Sequence, residues 1–320
     1  MKILITGAAG FIGSYLCEFM LEQGNNVYGV DNFSNGNPEN LKKSLSYSKF
    51  SFTEMDACET ESITALMKEN EFDEVWHLAA NTDIISSHES PVRDFKDCAQ
   101  ATVSVLEAMR LSKVKKIVFA SSGSVYGDLG KGISVNESVG PLKPLSTYGA
   151  GKLASEGFIA SYSNLYGINS YIFRFGNVLG DRINHGVIFD FARKLKSDPT
   201  KLIVLGNGRQ EKNYFRVGDC INGMWEISRN EIREENCTIL NLGNTSLTNV
   251  TRIAEIVIEE SKLSNVELII EGSDLAWPGD QPIIRLDCKQ AAANGWACKV
   301  DSDEAVRLTA RELLSKSGVI

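Results

Sequence analysis

The segment Tyr148-Gly-Ala-Gly-Lys152 places a phenol and an ammonium group four residues apart. If the segment is helical, both side chains project from one face, about one turn apart. A tyrosine with an ordinary pKa of about 10 is a poor base at neutral pH, but a neighbouring Lys cation stabilises the phenolate. Lowering the pKa to about 7 takes about 4 kcal/mol of differential stabilisation. The pair is a candidate acid/base, although an exposed helix pair often has the same spacing.

A cluster of hydroxyl residues precedes this pair, in Ala120-Ser-Ser122-Gly-Ser124-Val-Tyr-Gly127. The cluster follows an apolar, strand-like run, and the carboxyl ends of strands are where ligands bind in open α/β sheets. One of the hydroxyls can hydrogen-bond a substrate oxygen while Tyr148 removes its proton. A hydroxyl, a tyrosine and a lysine in this order favour catalysis over an ordinary helix surface.

Three glycines in Gly7-Ala-Ala-Gly10-Phe-Ile-Gly13 directly follow the first strand-like run and open a helix-like pattern. Glycine lets the backbone turn tightly and approach a pyrophosphate, and the N-terminus of a helix supplies free N–H groups with positive potential. The loop has one residue more than the commoner GxGxxG spacing. The motif predicts a phosphate loop, with a turn of packing glycines as the alternative.

Two acids end the next predicted strands. Asp31 closes the second strand, 18 residues beyond Gly13, where a carboxylate binds the ribose hydroxyls of adenosine. A carboxylate at this point repels a 2′-phosphate, so it favours NAD over NADP. Asp56 ends the third strand, where it can meet the adenine amino group or serve as an ordinary strand-end cap. Strand, loop, helix and acid in this order predict an NAD site.

The elements that must position these residues alternate between strand and helix in the first half of the chain. Apolar runs predict strands at 3–6, 27–30, 50–55, 74–77, 116–120 and 170–175, and helical spacing predicts helices near 60–69, 94–111 and 146–166. This alternation is typical of a parallel sheet with helices on both faces. The predicted fold class is α/β, a Rossmann-type doubly wound parallel sheet with a smaller α/β substrate-binding domain.

The regular alternation weakens after Gly176, with Gly-, Asn- and Asp-rich breaks at 180–186 and 206–208. Two later helices are predicted, one over 250–258 and one over about 303–315. We therefore predict an NAD-binding Rossmann domain made of residues 1–174 plus about 213–244. The predicted substrate domain comprises residues 175–212 plus about 245–320.

Composition excludes several functions. The 320 residues have a net charge of −8 and a pI of about 5.1, with no basic block, so neither nucleic acid nor a membrane is expected as a partner. No stretch has the length of a membrane span, and the first apolar run is too short for the core of a signal peptide. Seven dispersed cysteines without a CxxC pair indicate reduced thiols and a cytoplasmic location. The three histidines form no HExxH-type arrangement, so no metal site is expected.

Together these motifs resemble the extended short-chain dehydrogenase/reductase family, and particularly its UDP-glucose 4-epimerase-like branch. The resemblance extends over essentially the whole chain. Its motifs lie at residues 7–13, 31–32, 56–57, 77–80, 121–127, 148–152, 174–177, 206–208, 214, 219, 286–287 and 295–296.

The resemblance implies a role for each part of the site. Ser122 becomes the catalytic hydroxyl, Tyr148 the acid/base and Lys152 its partner. The residues implied at the NAD cofactor are Gly7, Gly10, Phe11, Ile12, Gly13, Asp31, Asn32, Asp56, Ala57, Leu78, Ala79, Ala80, Thr82, Tyr148 and Lys152. The residues implied at a nucleotide-sugar substrate, with a UDP-hexose expected first, are Ser122, Ser124, Asn177, Lys212 and Ile284. The family's dimer packs two helices from each subunit, here those predicted near 94–111 and 146–166, so a homodimer is expected.

Two departures from the family pattern bear on the reaction. Related dehydratases carry Asp-Glu after the catalytic hydroxyl, and decarboxylases carry Glu just before Val-Tyr-Gly. Here those places hold Gly123 and Ser124, which cannot perform the additional proton chemistry. The departures therefore favour epimerisation over elimination or decarboxylation.

Other departures bear on the ligands. Lys212-Asn213 stands where the family usually has Arg-Asp, and Trp277 where it has Arg; since Arg grips a diphosphate bidentately and Lys does not, nucleotide anchoring differs. An Asn commonly used at the cofactor corresponds to Asp97 or Cys98. Ile284, near the family's gatekeeper for 2-N-acetyl groups, is smaller than the Tyr of some relatives, so N-acetylated sugars stay open as substrates.

Three alternative functions are compatible with these motifs and with the resemblance. The first is a nucleotide-sugar 4-epimerase that inverts C4 through a transient 4-keto sugar. The second keeps the fold and changes the chemistry to that of a 4,6-dehydratase, a decarboxylase or a 4-keto reductase. The third is a non-catalytic NAD-binding protein, whose mark would be the loss of Tyr148 or Lys152. Both residues are present.

Overall fold

The computed structural model describes residues 1–82, 90–130, 133–230, 236–272 and 285–320, which form two compact units. The first unit comprises Met1–Val125, Ser146–Arg174 and Ile221–Leu240. The second unit comprises Tyr126–Leu145, Phe175–Cys220 and Asn241–Ile320.

The strands and helices of these residues are as follows. The strands are β1 (Lys2–Thr6), β2 (Asn26–Asp31), β3 (Phe50–Glu54), β4 (Glu74–His77), β5 (Lys116–Ser122), β6 (Ser134–Val135), β7 (Asn169–Phe175), β8 (Asn177–Leu179), β9 (Lys201–Leu205), β10 (Glu211–Lys212), β11 (Tyr214–Arg216), β12 (Cys237–Leu242), β13 (Thr248–Asn249), β14 (Glu267–Glu271) and β15 (Arg285–Leu286). The helices are α1 (Phe11–Glu22), α2 (Lys42–Leu45), α3 (Thr60–Asn70), α4 (Pro91–Asp94), α5 (Ala101–Ser112), α6 (Thr147–Tyr166), α7 (Val187–Ser197), α8 (Val217–Ser228), α9 (Val250–Ser261), α10 (Lys289–Ala293) and α11 (Ser302–Ser317). Short 3₁₀ turns lie at Pro38–Leu41 and Gly123–Tyr126, and a π-helical turn at Phe95–Gln100 connects α4 to α5.

A seven-stranded sheet has the order β12-β7-β5-β4-β1-β2-β3. The pairings of β1 with β2 and β4, of β2 with β3, and of β4 with β5 are parallel. The chain moves outward from β1 to β3 and then returns to the other side of β1 with β4, so the strand order reverses at β1. In sheets of this kind the ligand site lies outside the carboxyl ends of the strands at such a reversal.

Helices pack against both faces of this sheet. Because successive strand residues point to opposite faces, neighbouring side chains of β4 enter different layers. Trp76 stacks on Trp225 of α8, with 6.3 Å between ring centroids, and Phe19 of α1 contacts the same Trp225 ring. Val75 packs in the other layer with apolar side chains of α3, α5 and α6. The six predicted strands are present, and the predicted Rossmann-type α/β fold is confirmed.

The second unit is built from small sheets and three amphipathic helices. Strands β9 and β14 pair in parallel, as do β8 and β11. Buried side chains of α7, α9 and α11 form its core, including Phe191, Ile253, Val257 and Leu314. Among the described residues, no helix is long and apolar enough to cross a membrane.

The segment 126–145 belongs to the second unit, whereas the predicted boundaries placed it in the Rossmann domain. Its strand β6 pairs with β15, and Asn241 donates a hydrogen bond to the carbonyl of Val135. These partners lie more than 100 residues further along the chain, so local sequence patterns do not predict these contacts. Residues 213–220 and 241–244, also assigned to the Rossmann domain, lie in the second unit too.

Candidate active site

The loop after β1 leaves no room for side chains at two of its glycines. Gly7 has a φ of 73°, and a Cβ atom there would lie 2.7 Å from the amide nitrogen of Ala79, which follows β4. A Cβ atom on Gly13 would lie 2.0 Å from the carbonyl oxygen of Gly7. Glycine is therefore required at Gly7 for the loop to lie against the end of β4, and at Gly13 for the first turn of α1 to lie against the loop.

The first helix begins directly at this loop. The amide of Gly10 donates to the carbonyl of Gly7, α1 starts at Phe11, and its first turn contains no acidic residue. Phe11 and Ile12 are half-buried in that turn. The free N–H groups and the positive potential of the helix N-terminus therefore fit a pyrophosphate. The geometry of the loop is thus compatible with the predicted phosphate site.

Asp31 lies at the end of β2 with its carboxylate against this loop. One carboxylate oxygen accepts from the amide of Ala9 at 2.9 Å, and the other accepts from the amide of Phe33 at 2.8 Å. Burial raises the pKa of Asp31 above its ordinary value, although the hydrogen bonds from backbone amides oppose the shift. Asp31 thus orients the glycine loop, and its remaining lone pairs can accept from ribose hydroxyls.

Two other predicted cofactor residues share one cavity. Asn32 and Asp56 both line a surface cavity of about 340 Å³ that begins beside the end of β3. Asp56 forms an ion pair with Lys96 at 2.8 Å. Burial acts to raise the pKa of Asp56, but the Lys96 ammonium and the Cys58 amide outweigh it and lower the pKa. The carboxylate is therefore ionised and accessible at the cavity wall.

The remaining predicted cofactor residues differ in exposure. The Ala57 side chain belongs to the hydrophobic core, so only its main chain is left for a ligand. Leu78, Ala79 and Ala80 are half-buried after β4, and Thr82 is exposed. His77, which precedes them, is buried, and its imidazole lies between the hydroxyls of Thr6 and Thr102.

Tyr148 and Lys152 lie one turn apart in α6, as their spacing predicts. The hydroxyl of Ser146 caps the helix by accepting from the amide of Gly149. The Lys152 ammonium is buried, donates to the carbonyl of Ala120 at 2.7 Å and lies 5.9 Å from the centroid of the Tyr148 ring. The helix therefore brings both groups to the carboxyl end of β5, where Ser122 is located.

The hydroxyl of Ser122 links this helix to the loop after β5. Ser122 Oγ accepts from the hydroxyl of Ser124 at 2.9 Å and from its amide at 3.2 Å. The Ser122 side chain also acts on the phenol of Tyr148 and lowers its pKa. Since Ser122 accepts from Ser124, its own proton is left to donate, and donation to the phenolate form is what lowers the pKa of Tyr148. The structure thus brings Ser122, Ser124, Tyr148 and Lys152 together in one connected group.

The groups of the chain alone do not lower the pKa of Tyr148. The sequence predicts a pKa lowered by Lys152 together with a bound, positively charged nicotinamide ring. Among the groups of the chain, burial raises the pKa of Tyr148, the nearby Cys98 adds to this rise, and the Ser122 side chain opposes it. Burial also lowers the pKa of Lys152. Tyr148 is therefore a neutral phenol at neutral pH until a further positive charge enters the site.

Two further buried residues contact helix α6. Asp94 is fully buried and accepts from the hydroxyl of Thr147 at 2.6 Å and from the amide side chain of Asn81 at 2.8 Å. Cys98 lies in the π-helical turn against Gly151, where a Cβ atom would come within 2.9 Å of the cysteine Cβ. Of the two residues considered for the family's Asn, Cys98 therefore lies against α6, whereas Asp97 pairs with Arg93.

The predicted substrate residues beyond β7 belong to the second unit. Asn177 begins β8, and its amide donates to the carbonyl of Asn213 at 2.9 Å. Lys212 lies in β10 opposite Thr248 of β13. The side-chain amide of Asn213, at the place of the family's Asp, donates to the carbonyl of Asn244 and is buried. Ile284 and Trp277 lie outside the described residues.

The fold and this site define an NAD-dependent enzyme of the extended short-chain dehydrogenase/reductase type. A Rossmann-type sheet, a glycine loop held by the carboxylate of Asp31, and a Ser-Tyr-Lys group at the end of β5 occur together.

Comparison with known proteins agrees with this class. The sequence matches the NAD dependent epimerase/dehydratase family over residues 3–243. A UDP-glucose 4-epimerase of Mycolicibacterium smegmatis is 36% identical over 227 residues, covering 69% of this chain and 71% of that protein. A UDP-galactose 4-epimerase crystal structure has 34% identity and a TM-score of 0.86, covering 99% of both chains. The Thermus thermophilus UDP-glucose 4-epimerase in complex with NAD has 30% identity and a TM-score of 0.86, covering 98% of this chain and 99% of that one. The chain belongs to the NAD dependent epimerase/dehydratase family.

Proposed function

We propose that this protein is an NAD-dependent nucleotide-sugar 4-epimerase that inverts C4 of an NDP-hexose, with a UDP-hexose as the expected substrate. The observation that carries the proposal is the group of Ser124, Ser122 and Tyr148 at the end of β5, in which Ser124 donates to Ser122 and Ser122 lowers the pKa of Tyr148. It places a proton acceptor beside a hydroxyl-binding group and supplies no second acid or base. The relatives named above act on UDP-sugars, which supports the choice of nucleotide.

The residues of this group have distinct tasks in the reaction. Ser122 binds the oxygen at C4 of the sugar, and Tyr148 takes the proton of that hydroxyl. Lys152 holds positive charge beside the phenolate and can hold the nicotinamide ribose. When bound, NAD would supply the hydride chemistry, accepting hydride from C4 and giving it back to the opposite face of the 4-keto sugar. Tyr148 returns the proton, and the reaction would have no net redox change because the hydride also returns to C4.

The cofactor would be held by the groups whose geometry fits it. The loop from Gly7 to Gly13 would bind the pyrophosphate, Asp31 the adenosine ribose, and Asn32 with Asp56 the adenine end. The positive nicotinamide ring would lower the pKa of Tyr148, which burial otherwise keeps high. Proton transfer by Tyr148 would therefore depend on bound NAD.

The loop after Ser122 supports epimerisation rather than elimination. Gly123 and Ser124 lie in the 3₁₀ turn that follows β5, and the Ser124 hydroxyl donates to Ser122. Dehydration at C5 and C6 needs an acid and a base beyond Tyr148, and these two residues supply neither. A net 4-keto reductase would need an exchangeable reduced cofactor, whereas an epimerase regenerates its cofactor in each turnover.

We also propose a cytoplasmic homodimer. Phe158 and Leu165 of α6, Leu111 of α5 and Phe95 of the π turn are all more than 40% exposed. These side chains lie on the two helical segments that pack the family's dimer, and a second copy would cover them. All seven cysteines lie in the described part of the chain and are free thiols, which supports a reducing compartment.

The test is a panel of UDP-, GDP-, CDP- and dTDP-hexoses incubated with the purified enzyme in heavy water, without added cofactor. An epimerase interconverts the C4 epimers of one or more of them. No deuterium enters C4, because the same hydride returns there, and none enters C5 or C6, because no C–H bond is broken at these carbons. Proton NMR and mass spectrometry measure both results. A product lighter by one water, with deuterium on carbon, would identify a dehydratase and overturn the proposal.

A further inference from the structure

A buried ion pair lies next to the catalytic residues and has no part in the mechanism described above. Glu156 of α6 and Arg174 of β7 each have side chains that are only 4% exposed, and Arg174 Nη2 lies 2.7 Å from Glu156 Oε2. Arg174 Nε donates to the other carboxylate oxygen at 3.0 Å. Because the two charges are buried together, each compensates the other.

Glu156 also holds the strand that carries Ser122. Its Oε1 accepts from the hydroxyl of Ser121 at 2.5 Å, and Ser121 immediately precedes Ser122 at the end of β5. Lys152, one turn earlier in α6, donates to the carbonyl of Ala120. One face of α6 therefore binds two successive residues of β5 just before the catalytic hydroxyl.

We propose that Glu156, neutralised by Arg174, is a positioning residue: by holding the Ser121 hydroxyl it fixes the end of β5 and so sets the distance between Ser122 and Tyr148. A carboxylate is a stronger acceptor than a neutral group, which favours one fixed arrangement of Ser121. The inference rests on the proposed function, because it concerns the alignment of two residues that act in that reaction.

Positioning and mere stabilisation predict different effects. Removing one buried hydrogen bond costs about 1 kcal/mol of stability wherever it lies. Displacing a reacting group by about 1 Å can cost about 100-fold in rate. A hydroxyl that only stabilises the fold thus affects unfolding alone, whereas one that positions Ser122 also affects kcat.

The matched pair of variants is Ser121→Ala and Ser163→Ala. Ser163 lies in the same helix as Glu156, is also buried, and shares a 2.5 Å hydrogen bond with Ser170. We expect both variants to lose similar stability in denaturant unfolding, and only Ser121→Ala to lose kcat, by about tenfold or more, with KM unchanged. Equal kcat values for Ser121→Ala and the parent would overturn the proposal.

A further variant, Glu156→Gln, separates charge from positioning. Its amide oxygen can still accept from Ser121, but Arg174 is left without its counter-charge. We expect Glu156→Gln to lose more stability than Ser121→Ala and less kcat. The opposite order of kcat values would contradict the proposal, and if Glu156→Gln does not fold, the comparison of the two serine variants decides.

The position of Ser122 in crystal structures distinguishes a failure of the positioning proposal from a failure of the proposed function. Crystal structures of Ser121→Ala and Ser163→Ala should show Ser122 displaced from Tyr148 in the first variant only; an unmoved Ser122 refutes the positioning role whatever reaction is catalysed. A parent enzyme that inverts no NDP-hexose refutes the proposed function instead.

Discussion

At the scale of single residues, the site depends on groups whose protonation is set by burial. The phenol of Tyr148 has a raised pKa because burial disfavours its charged form, and the Ser122 side chain opposes this only in part. Burial also raises the pKa of the Asp31 carboxyl group. Each group therefore needs a positive or hydrogen-bonding partner to hold charge, and single substitutions can show which partner matters.

Substitution of Tyr148 by Phe should remove most turnover and leave NAD in place. Only the ionisable oxygen is lost, so we expect kcat to fall about 100-fold or more, as is usual for the loss of a general acid/base. Measured kcat and the nucleotide content of the purified protein check this. Tyr166→Phe is the control, because Tyr166 lies in the same helix near the surface and contacts Arg110. Near-parental turnover in Tyr148→Phe would show that another group moves the proton.

Substitution of Asp31 by Ala should weaken NAD binding and reduce the preference for NAD over NADP. The ribose acceptor and the charge that repels a 2′-phosphate are lost together, and so are the hydrogen bonds from Ala9 and Phe33. Titration of both cofactors by fluorescence measures the ratio of their dissociation constants. Asp31→Asn separates the two effects, because it keeps an acceptor and removes the charge. An unchanged ratio in both variants would mean that another residue reads the ribose.

At the scale of elements, six of the seven strands of the large sheet were predictable, whereas β12, the short strands of the second unit and part of the helical structure were not. The apolar runs identified six strands: five have buried side chains in the sheet, and β3, at its edge, has the half-buried rings of Phe50 and Phe52. The glycine loop followed from Gly7 and Gly13. The helix predicted over 94–111 contains a π-helical turn, in which Cys98 packs against Gly151. Helix α7 was missed, although Ile188, Phe191 and Leu195 have helical spacing, because Gly-, Asn- and Asp-rich breaks precede it. The raised pKa of Tyr148 was not predictable, because burial depends on contacts distant in sequence.

Substitution of Phe158 by Glu should convert a dimer into monomers. Phe158 is 44% exposed on α6, and a charge there would have to be buried without a partner if two copies pack through this helix. Sedimentation velocity over a range of protein concentrations measures the change. Leu45→Glu is the matched control, since Leu45 is a 60% exposed apolar residue of α2. A dimer that tolerates Phe158→Glu as well as Leu45→Glu would place the subunit contact elsewhere.

At the scale of the whole molecule, one buried group links stability to pH. His77 is fully buried between the hydroxyls of Thr6 and Thr102, and burial lowers the pKa of His77 to about 3. In the unfolded chain the imidazole has a pKa of about 6.5. Between these two values the unfolded state binds one proton more, so unfolding becomes more favourable as the pH falls.

We therefore expect acid to destabilise the parent more than His77→Gln. Below about pH 6.5 the contribution of His77 falls by up to about 1.4 kcal/mol per pH unit, whereas glutamine takes up no proton. Denaturant unfolding at pH 7, 5.5 and 4.5 gives the free energy of unfolding of both proteins. His77→Gln should be less stable at pH 7, where two hydrogen bonds are perturbed, and the difference should narrow toward pH 4.5. A constant difference across this range would contradict the neutral, buried state of His77.

The π-helical turn at Phe95–Gln100 also limits how the length of this chain can vary. Before the turn, Asp94 accepts from Thr147, and after it Thr102 donates to Ser155, so both flanking helices contact the same side of α6. A π turn holds one residue more than the α-helix it interrupts, and one residue corresponds to a rotation of about 100°. A chain shortened by one residue here would form a regular helix, but only one of the two residues, Asp94 or Thr102, would still face α6. A single-residue deletion that would be harmless in a surface loop would therefore turn one helical segment away from the catalytic helix.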